Sequence, residues 1–291
     1  LGLGTVGTGV ARYFEEHGTR EGIEVYRALV RNRQKRRELQ HYGGRVTTNP
    51  DVILGNPDVR IVVELMGGEE PAFEYMMRAM DAGKSVVTAN KLVIAKHMPE
   101  LFKKANEKKV DFKFEASVGG GKPIIEVMRT SLVANDIGKL YGIVNGTTNY
   151  ILTRMAEGMD YEQALGLAQE KGFAEADPTS DVSGRDAAYK LAVLGSLAYN
   201  TKINPDDIYI EGIEKVKPED IQYAREFGYC VKLLAIAKQG PNGLELRVHP
   251  ALIRRDHALA SVNDEFNAVY LEGTMVGPQP EADAIPLSGS W

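Results

Sequence analysis

The first half of the chain alternates between short apolar runs and an amphipathic stretch. Apolar runs rich in β-branched residues predict strands at 23–30, 59–68 and 85–91, and a fourth strand begins at 110. Residues 71–84 carry apolar side chains at helical spacing and predict a helix. This alternation of strands and helices is typical of a parallel sheet covered by helices.

The second half has a different pattern. Residues 136–158 predict a strand that runs directly into a helix, and residues up to Asn200 predict an apolar helix. The run FGYCVKLLAIAK, at 227–238, is also read as an apolar helix. Three strand-like runs predict a second sheet, separate from the parallel one: YGIVN, LELRVHPAL and NAVYLEG.

The change of pattern divides the chain into two predicted domains. The first covers residues 1–135, and we expect the chain to return to it at 265–291. The second is an inserted α+β domain at 136–264. The predicted fold class is therefore α/β, with a parallel, helix-covered domain interrupted by a mixed domain.

A glycine motif opens the chain. Gly2, Gly4 and Gly7 form G-x-G-x-x-G, and a helical pattern follows at once. Such glycines allow a tight turn, close approach of the backbone to a pyrophosphate and packing of the helix on a strand. The motif predicts a Rossmann-type dinucleotide site that includes Thr5 and Val6. Because a strand should precede the motif, we expect that the chain begins late in that strand.

Basic residues follow the strand predicted at 23–30. Many NAD-specific domains carry an acidic residue there for the ribose hydroxyls, whereas this chain has Arg31 and Arg33. A guanidinium suits a 2′-phosphate, so the two arginines predict a preference for NADP over NAD. The alternative is a basic surface at the start of a helix.

Further candidates lie at the carboxyl ends of the next two strands, where ligands bind in parallel sheets. Met66 and Gly67 lie at the end of the run 59–68 and are expected beside the cofactor. Lys91 is the last residue of the run 85–91, at the carboxyl end of the strand, and is expected to point into the same crevice. The alternative for Lys91 is an exposed lysine at a helix start.

The most distinctive stretch, GFAEADPTSDVSGRDAAYK, runs from Gly172 to Lys190. Asp186 and Lys190 are four residues apart and therefore share one helix face. Such pairs are usually solvated. Here the following residues are apolar, which favours a partly buried lysine that is available for proton transfer.

The same stretch resembles the signature region of the homoserine dehydrogenase family, in its EADP, D-x-x-G and D-x-x-x-K steps. NGTTNYIL, at 145–152, matches a second block of that family. The resemblance implies interconversion of aspartate 4-semialdehyde and homoserine, with Lys190 as proton donor and Lys91 as its competitor. It also implies that Glu175 and Asp186 bind the substrate's amino group.

The resemblance implies further contacts. Lys91 would touch both cofactor and substrate, and Gly172, Glu175 and Gly277 would contribute to the cofactor site. Asp177 and Asp181 are expected to shape the loop. Thr147 or Thr148 is expected to cap a helix and ranks second as a substrate contact. The second domain would also form a homodimer.

A glycine run predicts a cation site. Three successive glycines at 119–121 expose backbone carbonyls, which suit a hard monovalent cation better than a transition metal. The resemblance implies a sodium site in this segment. The matching positions are Glu115, Val118, Gly120 and Lys122. The family usually has a smaller or apolar residue where Lys122 stands, and a lysine side chain would weaken the site unless it points away.

Composition narrows the remaining possibilities. The chain has 291 residues, 43% of them hydrophobic, and a formal net charge of −5. It carries no nucleic-acid-binding pattern and no apolar run that spans a bilayer. Its single cysteine, Cys230, excludes an internal disulfide framework and predicts a reducing, cytoplasmic location. His249 is expected to be structural.

The ends of the chain leave alternatives open. Pro278, Pro280 and Pro286 are incompatible with the closing helix usual in the family, and no appended regulatory domain is expected. One alternative is therefore a protein that binds NADP with little or no turnover. A third reading, an NADP-dependent reductase of another small aldehyde or imine, leaves the acidic stretch unexplained.

Overall fold

The computed structural model of the protein describes residues 1–34 and 45–274. Its contacts divide the chain into two compact units, Leu1–Ser117 and Val118–Trp291. This boundary lies earlier than the predicted 135, because residues 118–135 make their contacts with the second unit. Within the described residues, no helix is both long and apolar enough to span a membrane.

The first unit has parallel strands and helices in alternation. Strands β3, β4 and β5 form one parallel sheet, and β1 pairs with β2 in another. The Gly2 amide donates to the Leu29 carbonyl, and the Leu65 amide donates to the Leu1 carbonyl, so the first residues lie between the two sheets. This is the Rossmann-type arrangement predicted from the sequence. The elements are β1 Ala28–Leu29, β2 Val46–Thr47, β3 Ile61–Glu64, β4 Ser85–Thr88, β5 Phe112–Lys113, α1 Thr5–Glu21, α2 Asp51–Leu54, α3 Ala72–Asp81 and α4 Lys91–Lys108.

The second unit is built on a mixed five-stranded sheet in the order β10-β6-β8-β9-β7. Only the β7–β9 pair is parallel among its described pairs. The strands are β6 Ile137–Ile143, β7 Tyr209–Ile210, β8 Tyr229–Gly240, β9 Gly243–Arg254 and β10 Ala268–Gly273. The helices are α5 Ile124–Glu126, which continues as a π-helical turn, α6 Gly146–Ala156, α7 Tyr161–Glu170, α8 Thr179–Val182, α9 Arg185–Ala198 and α10 Pro218–Glu226. The unit is α+β, as predicted.

Residues 229–238 of the run at 227–238 lie in a strand, so the prediction of an apolar helix there is wrong. This strand, β8, lies between β6 and β9, and both faces of its centre are buried. A strand that is covered on both sides reads as a continuous apolar run and loses the alternation that identifies strands. Cys230 lies on this strand and is half-buried.

Helix α9 covers one face of the sheet and thereby places the acidic stretch. A Cβ at Gly195 of this helix would lie 3.9 Å from a methyl of Leu246 and 4.0 Å from Ala237, so the helix runs close to β8 and β9. Because side chains alternate along strands, Ile236 and Tyr270 face the other way. They belong to a second apolar cluster, partly covered by the 3₁₀ helix Ala258–Ser261.

The predicted return of the chain to the first domain differs from what is seen up to residue 274. Strand β10 pairs antiparallel with β6 over six residue pairs and belongs to the second unit. Residues 275–291 lie outside the described part of the chain.

Candidate active site

In the first unit, the glycine motif forms a tight turn into α1. Gly2 has φ +90°, and a Cβ there would lie 2.6 Å from the Leu65 carbonyl oxygen. A Cβ at Gly7 would lie 2.4 Å from the Gly2 carbonyl oxygen. Only glycine therefore permits this approach of helix to strand. The 17-residue helix points its N-terminal amides out of the turn, a geometry that suits the pyrophosphate of a dinucleotide.

The two arginines predicted to read the 2′-phosphate lie immediately after β1. Arg31 and Arg33 are both exposed. Their position beyond the carboxyl end of a parallel strand is the one expected of ribose-reading residues. The basic residues at 35–37 lie outside the described part of the chain.

A buried hydrogen-bond network joins the ends of β3 and β4. Glu64, fully buried, accepts from the Met66 amide at 2.7 Å and from the Thr88 hydroxyl at 2.6 Å. The Asn90 amide donates to the same hydroxyl, and the Asn90 side chain donates to the Gly68 carbonyl at 2.7 Å. The network fixes the loop that carries Met66 and Gly67 relative to the first turn of α4.

Lys91 is the first residue of α4 and is half-buried. Asn90 caps this helix, since its Oδ1 accepts from the Val93 amide at 3.3 Å. The cap and the hydrogen-bond network that includes Asn90 therefore fix the backbone position of Lys91 at the beginning of α4. Its predicted place at the carboxyl end of a strand is confirmed.

In the second unit, the predicted pair of Asp186 and Lys190 is buried rather than solvated. They are 4% and 8% exposed, and Lys190 Nζ lies 2.9 Å from Asp186 Oδ2. Lys190 also donates to the Val144 carbonyl at 2.8 Å. A buried ammonium that retains a carboxylate partner and carbonyl hydrogen bonding can remain charged without contact with bulk water.

Asn145 brings a second carboxylate to this pair. Its Nδ2 donates to Asp186 Oδ2 at 2.9 Å and to Asp181 Oδ1 at 2.7 Å. The other oxygen of Asp181 accepts from the Thr147 hydroxyl at 3.2 Å. Asp181, Asp186 and Lys190 therefore form one hydrogen-bonded cluster around the start of α6, which we call the acidic cluster.

Burial changes the acid–base properties around the cluster. The pKa of Asp181 is raised by burial and by the neighbouring charge of Asp186, against the hydrogen bonds from Asn145 and Thr147. Burial, together with the charge of Lys190, lowers the pKa of Lys122 to about 8. Charged groups of both signs thus meet in a poorly solvated region, as is common at functional sites.

Comparison with protein families matches both units. Residues 2–115 match the homoserine dehydrogenase NAD-binding domain, and residues 123–284 match the homoserine dehydrogenase model. The chain belongs to the homoserine dehydrogenase family. The resemblance inferred from the acidic stretch is therefore confirmed.

Individual relatives agree with this assignment. A homoserine dehydrogenase of Synechocystis is 46% identical over 286 residues, which cover 95% of this chain and 66% of that protein. A homoserine dehydrogenase of Thiobacillus denitrificans superposes with a TM-score of 0.88 at 45% identity, over 99% of this chain and 67% of that one. The chain thus spans about two thirds of these relatives.

A more distant relative was solved with a nucleotide. It is a hyperthermophilic archaeal homoserine dehydrogenase in complex with NADPH, with 27% identity and a TM-score of 0.79. The match covers 99% of this chain and 89% of that one. A nicotinamide-nucleotide domain in this chain is supported by the family match over residues 2–115.

Other residues predicted from the family's signature lie apart from the acidic cluster or at its edge. Glu175 is exposed, and its carbonyl accepts from the Gln169 side chain at 3.1 Å. Gly172 has φ +77° after α7, and Asp177 holds the turn before α8 by accepting from Thr179. Asp181, expected only to shape the loop, is the carboxylate that shares Asn145 with Asp186. Gly277 lies outside the described residues.

The residues predicted to hold a cation are divided between the units. Glu115 begins a 3₁₀ helix in the first unit, whereas Val118, Gly120 and Lys122 belong to the second. Lys122 does not point away from the glycine run: it is 7% exposed, and a Cβ at Gly119 would lie 3.4 Å from its Cδ. Among the described residues, no group of three or more His, Cys, Asp or Glu is placed to hold a metal.

Sequence reasoning missed Asn145. It ranked Thr147 and Thr148 as caps of α6, but the cap is Asn145, whose Oδ1 accepts from the Thr148 amide at 2.9 Å. The signal was present, because asparagine is a preferred cap and stands at the end of the predicted strand. Its contacts to Asp181 and Asp186, 36 and 41 residues away, leave no local signal.

Proposed function

We propose that this chain interconverts L-aspartate 4-semialdehyde and L-homoserine with NADP. The buried pair of Lys190 and Asp186 carries the proposal, because it provides a proton donor beside a carboxylate in a poorly solvated site. When bound, the nicotinamide nucleotide supplies the hydride to the aldehyde carbon, or accepts it in the reverse direction. The glycine turn at Gly2 and Gly7 supports binding of its pyrophosphate.

Lys190 holds the proton that the substrate oxygen needs. In the direction of alcohol formation, its ammonium donates a proton to the oxygen as the carbon is reduced; in reverse, its amine accepts the hydroxyl proton. Asp186 lies 2.9 Å from Nζ and orients it. Lys91 is the second candidate for this role, and comparison of variants at the two positions decides between them.

The acidic cluster supports recognition of an amino acid. Asp186 presents a carboxylate that suits the substrate's ammonium group, with Glu175 as the second carboxylate predicted from the same stretch. The first-turn amides of α6 suit its carboxylate. An amino acid with a reducible side chain therefore matches the site at both of its charged groups.

The test is homoserine-dependent reduction of NADP, followed by absorbance at mildly alkaline pH. Lys190→Met should lose about 10²- to 10⁴-fold in kcat with the fold intact, since it removes general acid–base catalysis. Near-wild-type turnover of this variant would move the role to Lys91. Retention of NADP with no turnover by the unsubstituted protein would favour the alternative, a protein that only binds the nucleotide.

The preference for NADP is part of the proposal. Exposed guanidiniums at Arg31 and Arg33 support it, as does the relative solved with NADPH. Replacing both arginines by alanine should raise KM for NADP and leave KM for NAD nearly unchanged. An equal change in KM for both nucleotides would mean that the two arginines do not contact the 2′-phosphate.

The monovalent cation implied by the family remains a prediction. The segment fits a cation less well than the resemblance implies, because the buried Lys122 side chain lies against the glycine run and its charge opposes a second cation. No step of the reaction is assigned to a cation. Lys122→Ile should bind sodium more tightly than the unsubstituted protein, as measured by ²³Na NMR line width.

A homodimer is also part of the proposal. On the sheet face opposite α9, Ile236 and Tyr270 are buried, whereas Tyr141, Ala251 and Val262 around them are only partly buried and offer apolar side chains to a second copy. Light scattering would give the oligomeric state. A cytoplasmic location remains a prediction from the single cysteine.

A further inference from the structure

Asn145 is buried at the junction of β6 and α6, and both ends of its side-chain amide have defined partners. Its Oδ1 accepts from the backbone amide and the hydroxyl of Thr148, each at 2.9 Å. Since a backbone amide can only donate, the oxygen must face Thr148. The NH₂ group therefore faces the acidic cluster. The residue as a whole is 5% exposed.

The NH₂ group joins the two carboxylates of the cluster. One hydrogen bond runs to Asp181 at 2.7 Å and the other to Asp186 at 2.9 Å. A neutral donor between two anions reduces their repulsion without adding a charge of its own. With both carboxyls ionised and Lys190 protonated, the cluster keeps one net negative charge.

We propose that Asn145 is a positioning residue that holds Asp181 and Asp186 together, so that the pair receives the ammonium group of the substrate. This inference rests on the proposed function, because it assumes an amino-acid substrate. It extends that function by assigning Asp181 to the binding pair and by naming the group that fixes it. Asn145 acts through the carboxylates and needs no contact with the reacting atoms.

Asn145→Asp is the decisive change. An aspartate keeps the cap, because its oxygen still accepts from the Thr148 amide, but it replaces the bridging donor by a third carboxylate. We expect kcat/KM for homoserine to fall at least about 100-fold, while KM for the nucleotide changes less than about twofold. Asn204→Asp is the matched control, since Asn204 caps a 3₁₀ helix at an exposed position. Its kcat/KM should stay within about twofold of the unsubstituted value.

A double variant distinguishes a role in positioning the two carboxylates from a role in capping α6. Asn145→Asp combined with Asp181→Asn again places one amide against carboxylates and restores the original net charge. We expect it to recover at least about tenfold of the loss in kcat/KM. A structural role in capping alone predicts no recovery, because the cap is already intact in the single variant.

A measurement without substrate keeps this inference distinct from the proposed function. The third carboxyl in Asn145→Asp should have a raised pKa in the folded state, so its cost is full at high pH and disappears as pH falls toward its unfolded value. The difference in Tm from the unsubstituted protein should therefore shrink between pH 8 and pH 5. For Asn204→Asp, the difference should stay constant.

Three results would overturn the inference. They are activity of Asn145→Asp within about threefold of the unsubstituted protein, a double variant that is no better than the single one, and a Tm difference that does not shrink at low pH. Absence of homoserine turnover in the unsubstituted protein would instead refute the proposed function, and the Tm comparison would still decide whether Asn145 joins the carboxylates.

Discussion

Each unit contains a junction in which a strand ends, an asparagine follows and a helix begins. Asn90 lies between β4 and α4 in the first unit, and Asn145 lies between β6 and α6 in the second. Each side-chain oxygen accepts from the amide three residues later, at 3.3 Å from Val93 and 2.9 Å from Thr148. The capping interaction is thus common to the two units.

The junctions differ in what the NH₂ group contacts. At Asn90 it donates to the neutral carbonyl of Gly68, and this bond ties one loop to another. At Asn145 it donates to two carboxylates. The same cap therefore stabilises backbone geometry in one unit and the arrangement of charges in the other. A junction that orders charges should tolerate substitution less well than one that orders backbone.

The largest effect is expected from Asp186→Asn. This variant removes the charge that stabilises Lys190 and leaves a buried ammonium whose remaining partners are weaker. We expect kcat/KM for homoserine to fall about 10²- to 10³-fold, measured by nucleotide reduction with the folded fraction checked by circular dichroism. A loss below about tenfold would mean that the charge of Asp186 contributes little at this junction.

The second effect is a change of stability with pH and is expected from Lys232, a buried lysine of β8 that contacts Asn149 of α6. Lys232 is 3% exposed and donates to three neutral oxygens, those of the Asn149 side chain, the Val262 carbonyl and the Asn263 side chain. Burial lowers its pKa from 10.5 to about 8. Burying the charge therefore costs stability in full below pH 8, and this cost disappears as pH rises to 10.5.

The Lys232→Met variant removes this dependence. The free energy of unfolding of the unsubstituted protein, relative to the variant, should rise by up to about 3 kcal/mol between pH 7 and pH 10.5. Urea unfolding at a series of pH values measures it. Lys238→Met, at a half-buried position on the same strand, controls for loss of one positive charge. A difference that is constant with pH, or that falls as pH rises, would contradict the assignment.

A third and smaller effect is expected at the first junction from Glu64→Gln. Glu64 accepts from two neutral donors, the Met66 amide and the Thr88 hydroxyl, so its replacement misplaces one hydrogen bond without stranding a charged partner. The free energy of unfolding should fall by about 1–3 kcal/mol, as measured in urea, and KM for the nucleotide should rise more than kcat falls. A loss in kcat/KM for homoserine equal to that of Asp186→Asn would remove the distinction between the junctions.

Local sequence signals predicted much of the fold. The glycine turn, the strands β3, β4, β6, β9 and β10, and the helix that pairs Asp186 with Lys190 all follow from spacing within about ten residues. Strand β8 was misread as a helix because burial on both faces hides its alternation. Periodicity therefore works best for elements that keep one face in water.

Part of the candidate site lay beyond such reasoning. The burial of Lys190 was inferred from its apolar neighbours, and the structure confirms it. The hydrogen bonds that join Asp181 to Asp186 were not accessible, because they come from Asn145 and Thr147 at the start of a different helix. Spacing along a chain identifies which residues share a face, whereas tertiary contacts decide which carboxylates share a partner.

The smallest effect is expected from Asn90→Asp, the same substitution that is decisive at Asn145. The aspartate keeps the cap, and a favourable negative charge at a helix N-terminus offsets part of the cost of turning a carboxylate oxygen toward the Gly68 carbonyl, so the free energy of unfolding should fall by about 1 kcal/mol. The lost bond to the Gly68 carbonyl loosens the loop that carries Met66 and Gly67. KM for the nucleotide should therefore rise about tenfold while kcat changes little, as measured by initial rates at saturating homoserine. If Asn90→Asp instead lowered kcat/KM for homoserine at least about 100-fold, as Asn145→Asp is expected to, the two junctions would be equivalent, and no special role in ordering charges could be assigned to Asn145.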